Sequence, residues 1–303
     1  NPSAMRLVLF CCLLLLLGCN KKNNLPAPEP LYQEQWAIHY NKPFYDAYTI
    51  DPNAHIHTEG FAYTGRGIKI AVIDIGLDKN HPEFKQNITH AINSADGSDD
   101  TSCSHSSDCY HGTAVTGIIA ANANGLGLRG IAPDSQIAFI KLDLAGYIGD
   151  DEILNALDYA EQFDVDIVSN SWGTEDVSPV VQEKIDAMAT NGRNGKGIIF
   201  IFASGNDGKE LTNDESMLDA VIGVGSTDEE NLRAIYSNVG SGLDIVAPGG
   251  YQLGITTTYN SEDENHPSDF IRAEDHDKFL GTSASVPLVS GAIALLLEKK
   301  PKS

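Results

Sequence analysis

Residues 70–76 read IAVIDIG: four apolar residues in an unbroken run, then Asp74, one more hydrophobe and a glycine. A short apolar run without polar alternation, closed by turn residues, describes a strand buried on both faces, as in a parallel sheet. Runs of this kind predict strands over Ile68–Asp74, Gln136–Leu142, Val165–Asn170, Gly197–Ala203, Ala220–Gly225 and Leu243–Val246. Between them fall helical stripes, with Ile153, Leu154, Leu157 and Ala160 on one face of Asp151–Gln162 and Val181, Ile185 and Met188 on one face of Val180–Thr190. Alternating strand and helix patterns predict an α/β fold, a mostly parallel central sheet flanked by helices on both faces. In such three-layer folds function collects beyond the carboxyl ends of the strands, which is where Asp74 stands.

Two further segments supply what a carboxylate in that place needs for hydrolysis. His111 lies in YHGTAVTG (110–117) and Ser283 in GTSASVP (281–287). A serine hydroxyl is a weak nucleophile until an imidazole takes its proton, and a carboxylate then fixes the imidazole's tautomer and stabilises its cation. FASGNDG (202–208) adds Asn206 after an apolar run, where its side-chain amide can donate to a developing oxyanion. His111 and Ser283 each open a helical stretch, whose free N–H groups and dipole favour developing negative charge. Gly112 and Gly281 permit close approach, and Pro287 falls in the first turn or so after Ser283, where a missing N–H costs little. Taken singly, each residue reads as a turn or cap; four contexts in one chain and one order read as catalysis.

That order and those contexts resemble the subtilisin-like serine proteases over residues 68–291, and IKLDLAGYIGDDEILNALDYAEQFDVDIVSNSWGTED, GTSASVPLVSGAIALLLE and PLYQEQW resemble the kexin and furin branch. The resemblance implies a serine endopeptidase acting on peptide or protein substrates, with Asp74, His111 and Ser283 as the triad and Asn206 with the Ser283 N–H as oxyanion donors. It places Ser171, Trp172 and Gly173 along the pocket for the residue before the cut (P1), and Asp176 where that branch receives arginine or lysine. Ile75 follows Asp74 where that branch carries a second aspartate, so a second basic residue is not demanded. ANANGLGLRGIAP (121–133) resembles the calcium loop of the same superfamily, which implies a calcium ion held by Asn124, Glu83 and Glu29. Gly125, Gly127 and Gly130 also satisfy G-x-G-x-x-G, yet they follow a helix instead of a strand, which argues against a dinucleotide fold. The alternative from another class is a lipid-anchored peptide-binding module on an inactive protease scaffold.

With 42 acidic against 20 basic residues, the formal charge of −22 argues against nucleic acid and anionic surfaces as partners. Residues 1–18 read as a signal peptide of the lipoprotein type: Met5, Arg6 and the apolar run Leu7–Leu17, too short for a spanning helix, then Gly18 and Cys19. Cleavage before Cys19 and its acylation would leave an exported bacterial lipoprotein, membrane-anchored and facing the periplasm or cell surface. Residues 19–30 read as an extended tether and 31–303 as the peptidase domain, truncated at its C-terminal end because only 20 residues follow Ser283. Cys103 and Cys109 read as a local disulfide in an oxidising compartment. The competing reading is a zinc site with His105 and His111, which would consume the imidazole. His55 and His57 read as solvated loop histidines. Nothing in the sequence sets the oligomeric state.

Overall fold

The computed structural model describes residues 29–299, apart from 59, 103–109, 144–147, 262, 264–265 and 267. Its centre is a seven-stranded sheet built from β1 (Lys69–Asp74), β2 (Ile88–Asn93), β3 (Gln136–Lys141), β4 (Ile167–Asn170), β5 (Ile199–Ala203), β6 (Val221–Thr227) and β7 (Ile245–Pro248). The strands lie in the order β2-β3-β1-β4-β5-β6-β7, and every adjacent pair is parallel. The helices are α1 (Lys42–Tyr48), α2 (His111–Ala120), α3 (Asp150–Gln162), α4 (Pro179–Gly195) and α5 (Thr282–Lys299).

Strand alternation assigns β1 to two cores. Ile70 and Val72 join the core that holds Val115 and Ile118 of α2 with Ala284 and Leu288 of α5. Ala71 and Ile73 join the core that holds Ile153 and Leu157 of α3 with Val181 and Ile185 of α4. Both sets are fully buried, at about 1.5–3 kcal/mol per large aliphatic side chain, so the register of β1 is tightly specified. Asp74 is thereby fixed at the end of the strand.

Several elements depart from the sequence reading. Strand β2 lies outside the runs that predict strands: its sequence ITHAIN leaves Thr89 and His90 exposed and pairs only with β3, so it carries no buried apolar run. A two-stranded antiparallel ribbon, β8 (Thr257–Thr258) with β9 (Phe270–Ile271), is too short to show a period. Pro287 is the sixth residue of α5, one turn beyond Ser283 as expected, but there its missing N–H removes a helical hydrogen bond. His55 is buried, with its ring centroid 3.9 Å from that of His57, the two rings tilted by 50°, and beside Tyr40 and Tyr45. Among the described residues no helix is long and apolar enough to cross a membrane. Cys19, Cys103 and Cys109 lie outside the described residues.

Candidate active site

Three neighbouring strands deliver the site from their carboxyl ends. Asp74 ends β1, Ser171–Gly173 follow β4, and Ser204–Asn206 follow β5. From one face of the sheet, the packed helices α2 and α5 bring His111 and Ser283 on their first turns. The approach of α2 is close: a Cβ on Gly112 would stand 2.3 Å from the Gly76 carbonyl oxygen and 2.8 Å from the Phe139 ring. Only glycine fits there.

Asp74 is fully buried, and its Oδ1 lies 2.8 Å from His111 Nδ1 while accepting the Ile75 N–H at 2.8 Å. Among the described residues its Oδ2 has no hydrogen-bond partner. The His111 side chain is 22% exposed, and the Phe279 ring meets its ring edge-on at 5.4 Å. The imidazole is thus held at one nitrogen by a buried carboxylate and on one side by an aromatic ring.

Ser283 and Ser171 exchange bonds: Ser283 Oγ donates to the Ser171 carbonyl at 3.2 Å, and Ser171 Oγ donates to the Ser283 carbonyl at 3.0 Å. The second bond has a cause in Pro287. In a helix the Ser283 carbonyl would accept from the N–H four residues on, and proline has none. Trp172, beside it, donates its indole N–H to the Ile73 carbonyl at 3.0 Å and meets Phe202 edge-on, which ties this wall to β1 and β5.

Asn206 is oriented by α5. Its Oδ1 accepts the Thr282 N–H at 2.9 Å and the Thr282 hydroxyl at 3.0 Å, which leaves Nδ2 as the donor end of the amide. Gly281, at φ +109°, lets the chain turn against that amide; a Cβ would lie 3.2 Å from Asn206 Nδ2. Ser171, Trp172, Gly173, Asn206 and Ser283 line one cleft of about 120 Å³.

Asp176 does not line it. Glu175 takes a left-handed conformation at φ +66°, and the chain then carries Asp176 to the surface, where its Oδ1 accepts from Asn213 Nδ2 at 2.6 Å. The acids that do line the cleft are Glu175, Asp207 and Asp214. Asp214 is buried behind the wall: a Cβ on Gly173 would lie 2.8 Å from its Oδ2. Beside it, the buried Glu215 accepts the Thr174 N–H at 2.9 Å and the Thr174 hydroxyl at 2.7 Å, and desolvation raises its pKa. A signal for these acids exists in the sequence only as TNDES, with nothing local to tie it to SWG.

Away from the cleft, the residues of the calcium reading come together. Glu29 and Glu83 are both buried, and Glu29 Oε2 and Glu83 Oε1 have no hydrogen-bond partner among the described residues. Their other oxygens accept from the Gly125 N–H at 2.8 Å and from Asn124 Nδ2 at 2.9 Å. Burial first, and the Glu29 charge with it, pushes the Glu83 carboxyl up to about 7. Two buried carboxylate oxygens without donors fit a hard cation. Asn124 turns its amide nitrogen, not its oxygen, toward Glu83. Among the described residues no group of three or more His, Cys, Asp or Glu side chains could hold a metal ion, so calcium would need amide and backbone oxygens as well.

Residues 65–303 match the profile of the Subtilase family. The major intracellular serine protease of Bacillus subtilis is 33% identical over 247 residues, covering 79% of this chain and 71% of that protein. Endoprotease bli-4 of Caenorhabditis elegans is 31% identical over 299 residues, which is 92% of this chain and 30% of its own length. Among solved structures, a protease of Pseudoalteromonas arctica superposes with a TM-score of 0.70 at 25% identity, covering 92% of this chain and 89% of that one. The chain therefore belongs to the subtilase family, the subtilisin-like serine proteases, which are hydrolases acting on peptide bonds.

Proposed function

We propose that this chain is a serine endopeptidase in which Ser283 attacks the scissile carbonyl, His111 takes and returns the proton, and Asp74 orients and stabilises the imidazolium. The observation that carries this reading is the 2.8 Å contact between His111 Nδ1 and the fully buried Asp74. A carboxylate in that place makes Nδ1 the protonated nitrogen and leaves Nε2 basic. On substrate binding, the Ser283 hydroxyl turns from the Ser171 carbonyl to Nε2, and Oγ forms the bond to carbon as its proton passes to the ring. The oxyanion takes donors from Asn206 Nδ2 and from the Ser283 N–H, one of the α5 first-turn groups without an intrahelical acceptor. His111 then protonates the leaving amine, and water repeats the sequence on the acyl-enzyme. An intact carboxylate–imidazole pair counts against a scaffold that only binds peptides.

The P1 preference we assign is basic, as in the kexin and furin branch, with Asp214 in place of Asp176 as the receiving carboxylate. A guanidinium would pair with it across the thin wall at Gly173, and arginine should outperform lysine. Calcium would be held by Glu29 and Glu83 with Asn124 beside them, neutralising two buried carboxylates. We place the enzyme at a bacterial membrane through a lipid on Cys19; Cys19→Ala should release it into the soluble fraction, and unchanged detergent partitioning refutes the anchor. Arginyl, leucyl and phenylalanyl reporter peptides test specificity. The arginyl peptide should have the highest kcat/KM, and Asp214→Asn should erase that advantage; equal or better cleavage after leucine overturns the assignment.

A further inference from the structure

The mouth of the cleft carries one acid on each wall, and both belong to a single ion-pair bridge. Glu175 comes from the segment after β4 and Asp207 from the segment after β5. Between them stands Lys209, its Nζ 2.7 Å from Glu175 Oε2 and 3.5 Å from Asp207 Oδ2. The backbone around this bridge is pinned. The N–H groups of Asp207 and Lys209 both donate to Asn238 Oδ1 at 3.0 Å, and the left-handed Glu175 donates its N–H to Asp214 Oδ2 at 3.2 Å. The side chains, in contrast, are solvated, with Lys209 41%, Glu175 61% and Asp207 58% exposed. An ion pair of that exposure is weak and exchanges readily.

We propose that Lys209 is a specificity-determining residue, a cation supplied by the chain itself that neutralises the acidic rim and competes with a cationic substrate side chain for it. The inference rests on the reading of this cleft as the P1 pocket. A guanidinium in this cleft meets Glu175 and Asp207 as well as Asp214, and the first two are already engaged by Lys209. Lys209 therefore lowers the enzyme's preference for basic substrates below what the three acids would give alone, and spares apolar side chains an unscreened negative rim. The backbones that carry the two carboxylates stay in place when the lysine is exchanged, because they are held by Asn238 and Asp214.

The test is Lys209→Met against Lys209→Arg in the intact chain, with arginyl and leucyl reporters. Lys209→Met should lower KM for the arginyl peptide by about three- to fivefold, the scale of an exposed ion pair, with kcat and the leucyl KM unchanged. Lys209→Arg should behave as the parent. The gain should shrink at about 0.5 M salt, where charges a few ångströms apart are screened, and should vanish when Glu175→Gln and Asp207→Asn are added. Equal shifts for both peptides, or none, overturn the role of Lys209. Failure of the basic-P1 reading is seen separately, in a parent that does not prefer arginine and an Asp214→Asn variant that changes nothing. Benzamidine affinity by calorimetry reads the same rim without turnover: it should tighten about three- to fivefold in Lys209→Met, and an unchanged affinity also overturns the proposal.

Discussion

Ser171 and Ser283 hold each other across the cleft, each hydroxyl donating to the other's backbone carbonyl at 3.0–3.2 Å. The pair exists because Pro287 removes the helical donor that the Ser283 carbonyl would otherwise use, so a residue after β4 completes the first turn of α5. Ser171→Ala leaves that buried carbonyl without its partner. Urea denaturation should show a loss of about 1–2 kcal/mol, the cost of one buried unpaired acceptor. Turnover should fall by less than about fivefold in kcat with little change in KM, because alanine keeps the backbone carbonyl to which Ser283 Oγ donates.

Asn206→Ala should lower kcat by about 10²–10³ with KM nearly unchanged, because the amide is asked to act only on the transition state. Single-turnover acylation with an ester substrate reads this directly. A loss confined to KM would assign Asn206 to ground-state binding instead.

Calcium should stabilise the folded chain through Glu29 and Glu83. At a concentration one hundred times its Kd it adds about 2.7 kcal/mol, which chelation should remove as a drop of several degrees in Tm. Glu83→Gln should abolish the difference between calcium and chelator. A calcium-dependent Tm that survives both Glu83→Gln and Glu29→Gln places the ion elsewhere.

Glu215 gives a pH dependence with a definite sign. Burial raises its folded pKa above the ordinary 4.5, so the native state holds the proton more tightly than the unfolded chain. Its contribution is most favourable below the ordinary value and is lost as pH rises through the raised one. Glu215→Gln cannot ionise, so the Tm of the variant minus that of the parent should become more positive from pH 4 to pH 7. A difference that is flat with pH rules out a raised pKa for Glu215.

What the sequence disclosed, and what it hid, follows from the range of the forces. Strands such as IAVID are legible because both faces are buried and no polar residue interrupts them; β2 is hidden because it sits at an edge with Thr89 and His90 in solvent. Asp74, His111, Asn206 and Ser283 are legible because each needs a local context, a strand end, a helix start or a glycine turn. The acids of the cleft wall are not local. A left-handed Glu175 turns Asp176 outward, and the fold brings Asp214 to the wall from the segment after β5, a placement that spacing after SWG cannot reveal. The Ser171 bond to the Ser283 carbonyl is hidden for the same reason, since it depends on tertiary contact with a proline-containing helix.

A fluorophosphonate probe reads whether Ser283 is the activated nucleophile. Intact mass of the labelled, calcium-supplied protein should show one adduct, and peptide mapping should place it on Ser283. The labelling rate should fall by several orders of magnitude in His111→Ala and labelling should be absent in Ser283→Ala. A folded protein that takes no label, or one whose label persists in Ser283→Ala, rules out Ser283 as the activated nucleophile.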